Sequence, residues 1–161
     1  MFSISDFIRI LSIENDLIQT QTEGLSQADT LIEPQPGGNC MNWVLGHLLD
    51  NQITLLGLLG GESPVAAEGL EIYRRDSQRL GGSEPGILSL EYLLASHDSM
   101  HTAMLARLGE MSDADFTKEI QHGERTVTLG WRALFLNFHF TYHVGQLELL
   151  RQLAGRTEKL I

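Results

Sequence analysis

The sequence is organised around the stretch HFTYHVGQ, residues 139–146, which lies within an apolar run that spans residues 128–154. On an α-helix with 3.6 residues per turn, side chains four positions apart lie one above the other. His139 and His143 therefore project from the same face of a predicted helix. Two imidazoles in this arrangement can bind one metal ion together, and the spacing predicts a third ligand elsewhere in the chain.

The candidate for that third ligand is His47, which lies in the other strongly apolar segment of the chain. If the two apolar helices face each other, three neutral imidazole nitrogens can converge on a divalent ion at about 2.0 to 2.2 Å. Three protein ligands leave an open coordination position, which is typical of catalytic metal sites. Phe140 stands where the metalloprotease motif His-Glu-x-x-His has its catalytic glutamate, so the pair is not that motif.

Two other interpretations of the histidines stay open at this point. His139 and His143 can be core histidines that have hydrogen-bond partners and bind no metal. His97 and His101 form a second pair with the same spacing, and they can combine with His47 or with the other pair in a different site. The residues around this second pair are more polar, which favours a solvated or hydrogen-bonded role.

Two polar residues near the histidines are candidates for supporting roles. Asp50, three residues after His47, is the candidate catalytic residue, as a general base, an extra ligand or an acceptor behind a ligand. A partly exposed aspartate near the end of a bundle explains Asp50 equally well. Gln146, three residues after His143, can hydrogen-bond a ligand or a bound water, and a buried glutamine bonded to the backbone explains it as well.

Length and composition indicate one soluble globular domain over residues 1–161, with 42% apolar and 20% charged residues. The formal charge of -10 and the lack of a basic cluster argue against nucleic acid and anionic membranes as partners. The single cysteine, Cys40, cannot form an internal disulfide. Because the sequence shows neither a signal peptide nor a membrane-spanning run, we expect a cytoplasmic protein.

Helical periodicity predicts four long helices, which span residues 3–23, 39–59, 89–108 and 128–154. Ser3, Asn39, Ser89 and Thr128 are the predicted N-caps, and Gly155 is the predicted C-terminal stop. The segments between them predict a long crossover at residues 60–87 with a short helical piece at 71–79, one turn near 112–115, and an extended stretch at 126–128. No strand pattern of useful length appears. The prediction is an all-α four-helix bundle, with a crossover between the second and third helices that shapes the pocket.

Two motifs together carry a family resemblance. The segment NWVLGHL at residues 42–48 and the pattern HxxxHxGQxxxLR at residues 139–151, followed by Gly155, resemble the DinB-like superfamily, also called the YfiT-like metal-dependent hydrolases. The similarity covers most of the chain in order and includes the crossover segment IYRRDS at residues 72–77.

That resemblance implies an up-down-down-up four-helix bundle, often a homodimer, with a divalent ion, commonly zinc or nickel. By position, the three ligand histidines of the family correspond to His47, His139 and His143, whereas His97 and His101 match no ligand position. Relatives with known activity are thiol-dependent transferases or isomerases that use low-molecular-weight thiols. The resemblance therefore implies thiol transfer on a small-molecule substrate first and hydrolysis second. The alternative hypothesis is a non-catalytic helical dimer in which the metal is structural or absent.

Overall fold

The computed structural model describes residues 3–158. In chain order, its elements are helices α1 (Ile4–Thr22), α2 (Gln27–Thr30) and α3 (Met41–Leu58), a 3-10 turn (Glu71–Tyr73), helices α4 (Leu90–Gly109) and α5 (Asp113–Phe116), strands β1 (Glu119–His122) and β2 (Arg125–Thr128), and helix α6 (Leu129–Leu153). The four long helices pack together, so the predicted all-α four-helix bundle is confirmed.

Helix α1 packs between α4 and α6. Ser12 of α1 lies against His101 of α4, while Gln19, further along α1, donates to Asp98, so the two helices run antiparallel. Along α6, the partners of α1 instead follow in the same order as the residues of α1. Asn137 donates to Glu14 near the middle of α1, and Arg151 donates to the backbone near the end of α1. Helices α1 and α6 are therefore parallel.

Helix α3 occupies the opposite corner of the bundle and also packs between α4 and α6. It runs parallel to α4, because the Leu45 carbonyl accepts from His97 and the Leu59 carbonyl, one residue past the end of α3, accepts from Arg107. The bundle thus has α1 and α6 running one way and α3 and α4 the other, which is the predicted up-down-down-up order. The crossover from α3 to α4 spans residues 59–89.

Side-chain caps fix the ends of three long helices as predicted. Ser3 and Asp6 form a capping box at the start of α1, and the Ser89 and Thr128 hydroxyls accept from backbone N–H groups three residues on. Gly155 follows α6 with a φ of 82°. The predicted cap Asn39 is wrong by one residue, because α3 begins after Cys40, whose side chain makes no capping bond.

Other local predictions need correction. An antiparallel hairpin, β1 with β2, precedes α6 and extends the predicted stretch at 126–128. The segment at 71–79 forms only a 3-10 turn, and α2 is one unpredicted turn that begins with a capping box at Ser26. These corrections leave the bundle itself unchanged.

Within residues 3–158, no helix has both the length and the apolar character that crossing a lipid bilayer requires.

Candidate metal centre

The structure brings His47, His139 and His143 together where α3 crosses α6. The Nε2 atoms of His47 and His139 are 3.0 Å apart, and one ligand nitrogen from each of the three rings lies within 4.8 Å of the others. Two nitrogens bound to one zinc ion at about 2.0 to 2.1 Å are about 3 to 4 Å apart. The three rings are therefore close to the arrangement that a shared ion needs.

A backbone carbonyl orients His47, which is 6% exposed. The Nδ1–H group of His47 donates to the Tyr73 carbonyl at 2.8 Å, which leaves the Nε2 lone pair directed at the other histidines. The Trp43 ring stacks on the imidazole, with centroids 4.8 Å apart and planes 17° apart. A partner on the second nitrogen fixes the tautomer of a metal-binding histidine, so this arrangement suits a ligand.

Tyr73 is itself held in place by the segments around it. Its hydroxyl donates to the Asn42 side chain at 3.0 Å and accepts from the Leu88 backbone N–H at 2.7 Å. Its ring lies over Gly46, where an added Cβ would be 2.2 Å from Tyr73 Cδ1. Glycine is thus required beside His47, because any side chain there would displace the residue whose carbonyl orients the imidazole.

Helix α6 presents the other two rings from successive turns. The Nδ1 atom of His143 lies 2.7 Å from Gln146 Oε1, so its N–H group donates to the amide oxygen and its Nε2 is left free for a ligand role. The Gln146 side chain therefore hydrogen-bonds a histidine. Of the two roles predicted for it, the hydrogen bond to a candidate ligand is the one observed. On the α3 side, Asn51 donates to the His47 carbonyl at 2.8 Å, and its amide nitrogen lies 3.3 Å from His47 Nε2.

Burial sets the charge of the cluster. It lowers the pKa of His47, and it lowers the pKa of His139 together with repulsion from His143 and His47. Both rings are therefore neutral near pH 7, which is the form that binds metals. Neutral imidazole nitrogens 3.0 Å apart share either a proton or a cation. The donor chemistry of the site fits a divalent metal ion.

The cluster opens into a cleft of about 760 Å³ between α3, α6 and the crossover. Arg74, Arg75 and Asp76 of the crossover line it, as predicted for that segment. Asp50 also lines the cleft and forms an ion pair with Arg74, whose Nε lies 3.5 Å from Asp50 Oδ1. Asp50 is outside the three-histidine group, and its predicted catalytic role stays a prediction.

Comparison with known proteins agrees with this fold. A sequence model of the DinB superfamily matches residues 12–147, which is most of the chain. The chain belongs to the DinB superfamily. Among solved structures, a DinB-like protein from Bacillus cereus ATCC 10987 superimposes on this DinB protein with a TM-score of 0.76 and 20% sequence identity, covering 100% of this chain and 99% of the other. No curated protein matches it significantly.

The competing histidine pair of this DinB protein forms no joint site. His97 is fully buried between α4 and α3, where its Nε2 lies 3.1 Å from the Leu45 carbonyl and its Nδ1 lies 2.8 Å from Gln52 Oε1. His101 lies on the α1 side, 3.2 Å from Ser12 Oγ. The alternative site that would combine these residues with His47 or with the α6 pair is therefore not formed.

Sequence reasoning missed two residues that position the DinB site. Tyr73 orients His47 through its carbonyl, and a main-chain acceptor leaves no mark on the sequence. Asn51 was also missed, although it lies one turn after His47 and so on the same helix face. The sequence indicates a residue such as Tyr73 only indirectly, through Gly46. Glycine inside a helix lowers stability, so its presence in this apolar helix suggests that another group packs closely against it.

Proposed function

We propose that the cluster of His47, His139 and His143 binds one divalent ion and that this DinB protein is a metal-dependent enzyme acting on a small molecule. The observation that carries the proposal is the convergence of three imidazole nitrogens at the floor of an open cleft. No other histidine, cysteine or carboxylate of residues 3–158 belongs to the group. Three ligands leave room for a substrate or a water molecule.

Zinc or nickel is the proposed ion, because neutral imidazoles suit both metals. When bound, such an ion supplies positive charge that favours the deprotonated, nucleophilic form of a thiol or of water. Transfer of a low-molecular-weight thiol is the first proposed reaction and hydrolysis is the second. The support for thiol transfer is the family resemblance, and the support for an anionic co-substrate is the pair of arginines in the cleft.

The protein's own residues then bind and orient the substrate. Arg75 lines the cleft beside His139 and attracts a negatively charged group of the substrate. Arg74 is partly neutralised by Asp50, which is 23% exposed at its side chain. Asp50 is proposed to accept a proton from the incoming thiol or water, either directly or through a water molecule.

A second copy of the chain is the proposed partner. The outer face of α6 carries an apolar stripe in which Trp131, Phe135, Phe138, Tyr142 and Leu149 are all exposed, Phe138 by 67%. A stripe this long and this aromatic is unusual for a monomer surface. A dimer through α6 also fits the alternative function, in which the ion only clamps α3 to α6 and no reaction is catalysed.

Elemental analysis of protein purified without a histidine tag tests the site. We expect one zinc or nickel ion per chain, and none in His143→Ala, while His122→Ala, on the exposed hairpin, keeps the ion. Unchanged metal content in His143→Ala would contradict the assignment.

A screen with several low-molecular-weight thiols and ester substrates then separates catalysis from a structural role. Removal of the metal by chelation should abolish turnover and change the melting temperature little. A large fall in melting temperature without any turnover would favour the structural alternative.

A further inference from the structure

A groove of about 240 Å³ lies between α1 and α6, on a different face of α6 from the histidines. Ile13 and Leu17 of α1 and Val144 of α6 form its apolar lining. Gly145 also lines it, and a Cβ added there would meet no atom within 4 Å. The groove therefore has open space for the apolar body of a small molecule.

Two residues of the lining each have a buried oxygen without a hydrogen-bond donor among residues 3–158. Glu14 and Gln21 are 3% and 2% exposed, and both line the groove. The Thr141 hydroxyl and the Asn137 amide, at 3.2 Å, both donate to Glu14 Oε1, which leaves Glu14 Oε2 without a donor. Gln21 Oε1 is also without one. Buried acceptors of this kind are rare in folded proteins and indicate a donor supplied by a ligand or a water molecule.

The charged residues that line the groove indicate which kind of hydrogen-bond donor it would bind. Its lining includes the carboxylates of Glu14 and Glu148, and within residues 3–158 no lysine, arginine or histidine lines it. A hydrogen bond from a cationic N–H group to a carboxylate is about twice as strong as one between neutral groups. An apolar wall with a buried carboxylate is therefore complementary to an organic amine.

We propose that this groove binds an alkylamine, whose ammonium group donates to Glu14 Oε2 and whose hydrocarbon chain packs on Ile13, Leu17 and Val144. Gln21 lies two helical turns from Glu14, about 10 Å along α1, and its free oxygen accepts from a second polar group on a longer ligand. The site is distinct from the histidine cleft and does not depend on the metal-dependent reaction proposed above.

Isothermal titration of the full chain, freed of metal, with n-hexylamine tests the proposal, and n-hexanol is the neutral ligand of the same length. Burial raises the pKa of Glu14 to about 7, so the titration is done at about pH 8, where the carboxylate is charged. We expect n-hexylamine to bind at least about tenfold more tightly than n-hexanol. Glu14→Gln should remove this preference, and Glu91→Gln, on the exposed face of α4, should keep it.

Two further variants keep the test decisive if Glu14→Gln folds poorly. Gly145→Leu fits the helix, since leucine is a good helix former, and its side chain fills the groove, so binding should be lost while the circular dichroism spectrum stays unchanged. His143→Ala should bind n-hexylamine as the original chain does, because the metal centre is not involved. The proposal would be overturned by equal affinity for the two ligands or by undiminished binding in Gly145→Leu. It would also be overturned if n-hexylamine does not bind, which would mean that water or a second copy of the chain fills the groove.

Discussion

The pairs His139 with His143 and His97 with His101 have the same spacing on two helices of one bundle, and they end in different environments. The first pair meets His47 across an open cleft, with ligand nitrogens within 4.8 Å of one another. The second pair is divided between two interfaces, with His97 bonded to α3 and His101 lying against Ser12 of α1. The same spacing therefore does not by itself bring histidines into a shared cluster.

The difference comes from what the opposite helix supplies. Toward α6, α3 presents His47 with its Nε2 lone pair directed at His139, because Tyr73 takes the Nδ1–H group. Toward α4, α3 presents the Leu45 carbonyl and the Gln52 amide, which together occupy both nitrogens of His97. Both nitrogens of His97 are thus bonded inside the core, whereas Nε2 of His47 faces His139 in an open cleft.

The largest difference in metal affinity is expected when one histidine of each pair is replaced, namely His139 and His101, which are both partly buried. His139→Ala should lower metal affinity by more than about 100-fold, because loss of a ligand costs more than loss of a residue behind it. His101→Ala should change metal affinity less than about twofold. Titration of both metal-free variants with zinc in a competing chelator measures this, and similar losses in the two variants would contradict the comparison.

Replacement of the buried His97 should affect stability instead of metal binding. His97→Ala leaves a cavity and removes the hydrogen-bond partner of the Leu45 carbonyl and of the Gln52 side-chain amide. We therefore expect the free energy of unfolding to fall by about 2 to 4 kcal/mol. Urea denaturation of the metal-free protein measures the change. The variant should still bind one ion per chain. A variant that keeps its stability but loses the ion would show that His97 acts as a metal ligand and not as a core residue.

The charge of His97 gives a prediction about pH. Full burial lowers the pKa of His97 to about 4, so its contribution to stability is lost as the pH falls from about 6.5 toward 4. Burial raises the pKa of Glu14 to about 7, and its contribution has the opposite sign, falling as the pH rises from about 4.5 to 7. Between about pH 4.5 and 6.5 these two contributions offset each other.

Glu14→Gln should therefore uncover the His97 contribution. Between about pH 6.5 and 4.5, the variant should lose about 2 to 3 kcal/mol more stability on acidification than the original chain. Chemical denaturation of both metal-free proteins at several pH values gives the two curves. Parallel curves over this range would show that Glu14 does not have the raised pKa.

The smallest effect is expected at the residue behind His143. Gln146→Ala removes the acceptor for the His143 Nδ1–H group, at 2.7 Å, but leaves all three histidines of the cluster in place. We expect metal affinity to fall by about tenfold, which is the lower end of the range for residues that orient a ligand. The chelator titration used for His139→Ala measures it, and an unchanged affinity would mean that Gln146 does not hold the ring.

The parts of the fold that could be predicted from the sequence are those with a local physical cause. Ser3, Ser89 and Thr128 accept from backbone N–H groups within their own helix turn, so the starts of three long helices follow from nearby residues alone. The hairpin β1–β2 was missed because its strands are four residues each and only Ile120 and Val127 are even partly buried. So short and exposed a segment has almost no alternation to detect.

The site divides in the same way. His139 and His143 were predicted from helical spacing. His47 was a candidate because it lies in a second apolar helix, and the family resemblance supported that choice. The support from Tyr73 could not be predicted, because it depends on the path of the crossover and acts through a backbone carbonyl. The separation of His97 from His101 could not be predicted either, since it depends on which neighbour each face of α4 meets.

Anomalous scattering at the zinc edge, from crystals grown with zinc, shows directly whether the three histidines bind one ion. We expect one strong peak per chain at about 2.0 to 2.1 Å from the Nε2 atoms of His47, His139 and His143. The Nδ1 groups of His47 and His143 should still donate to Tyr73 and Gln146. The absence of a peak between these rings, or a peak at His97 or His101 instead, would contradict the account.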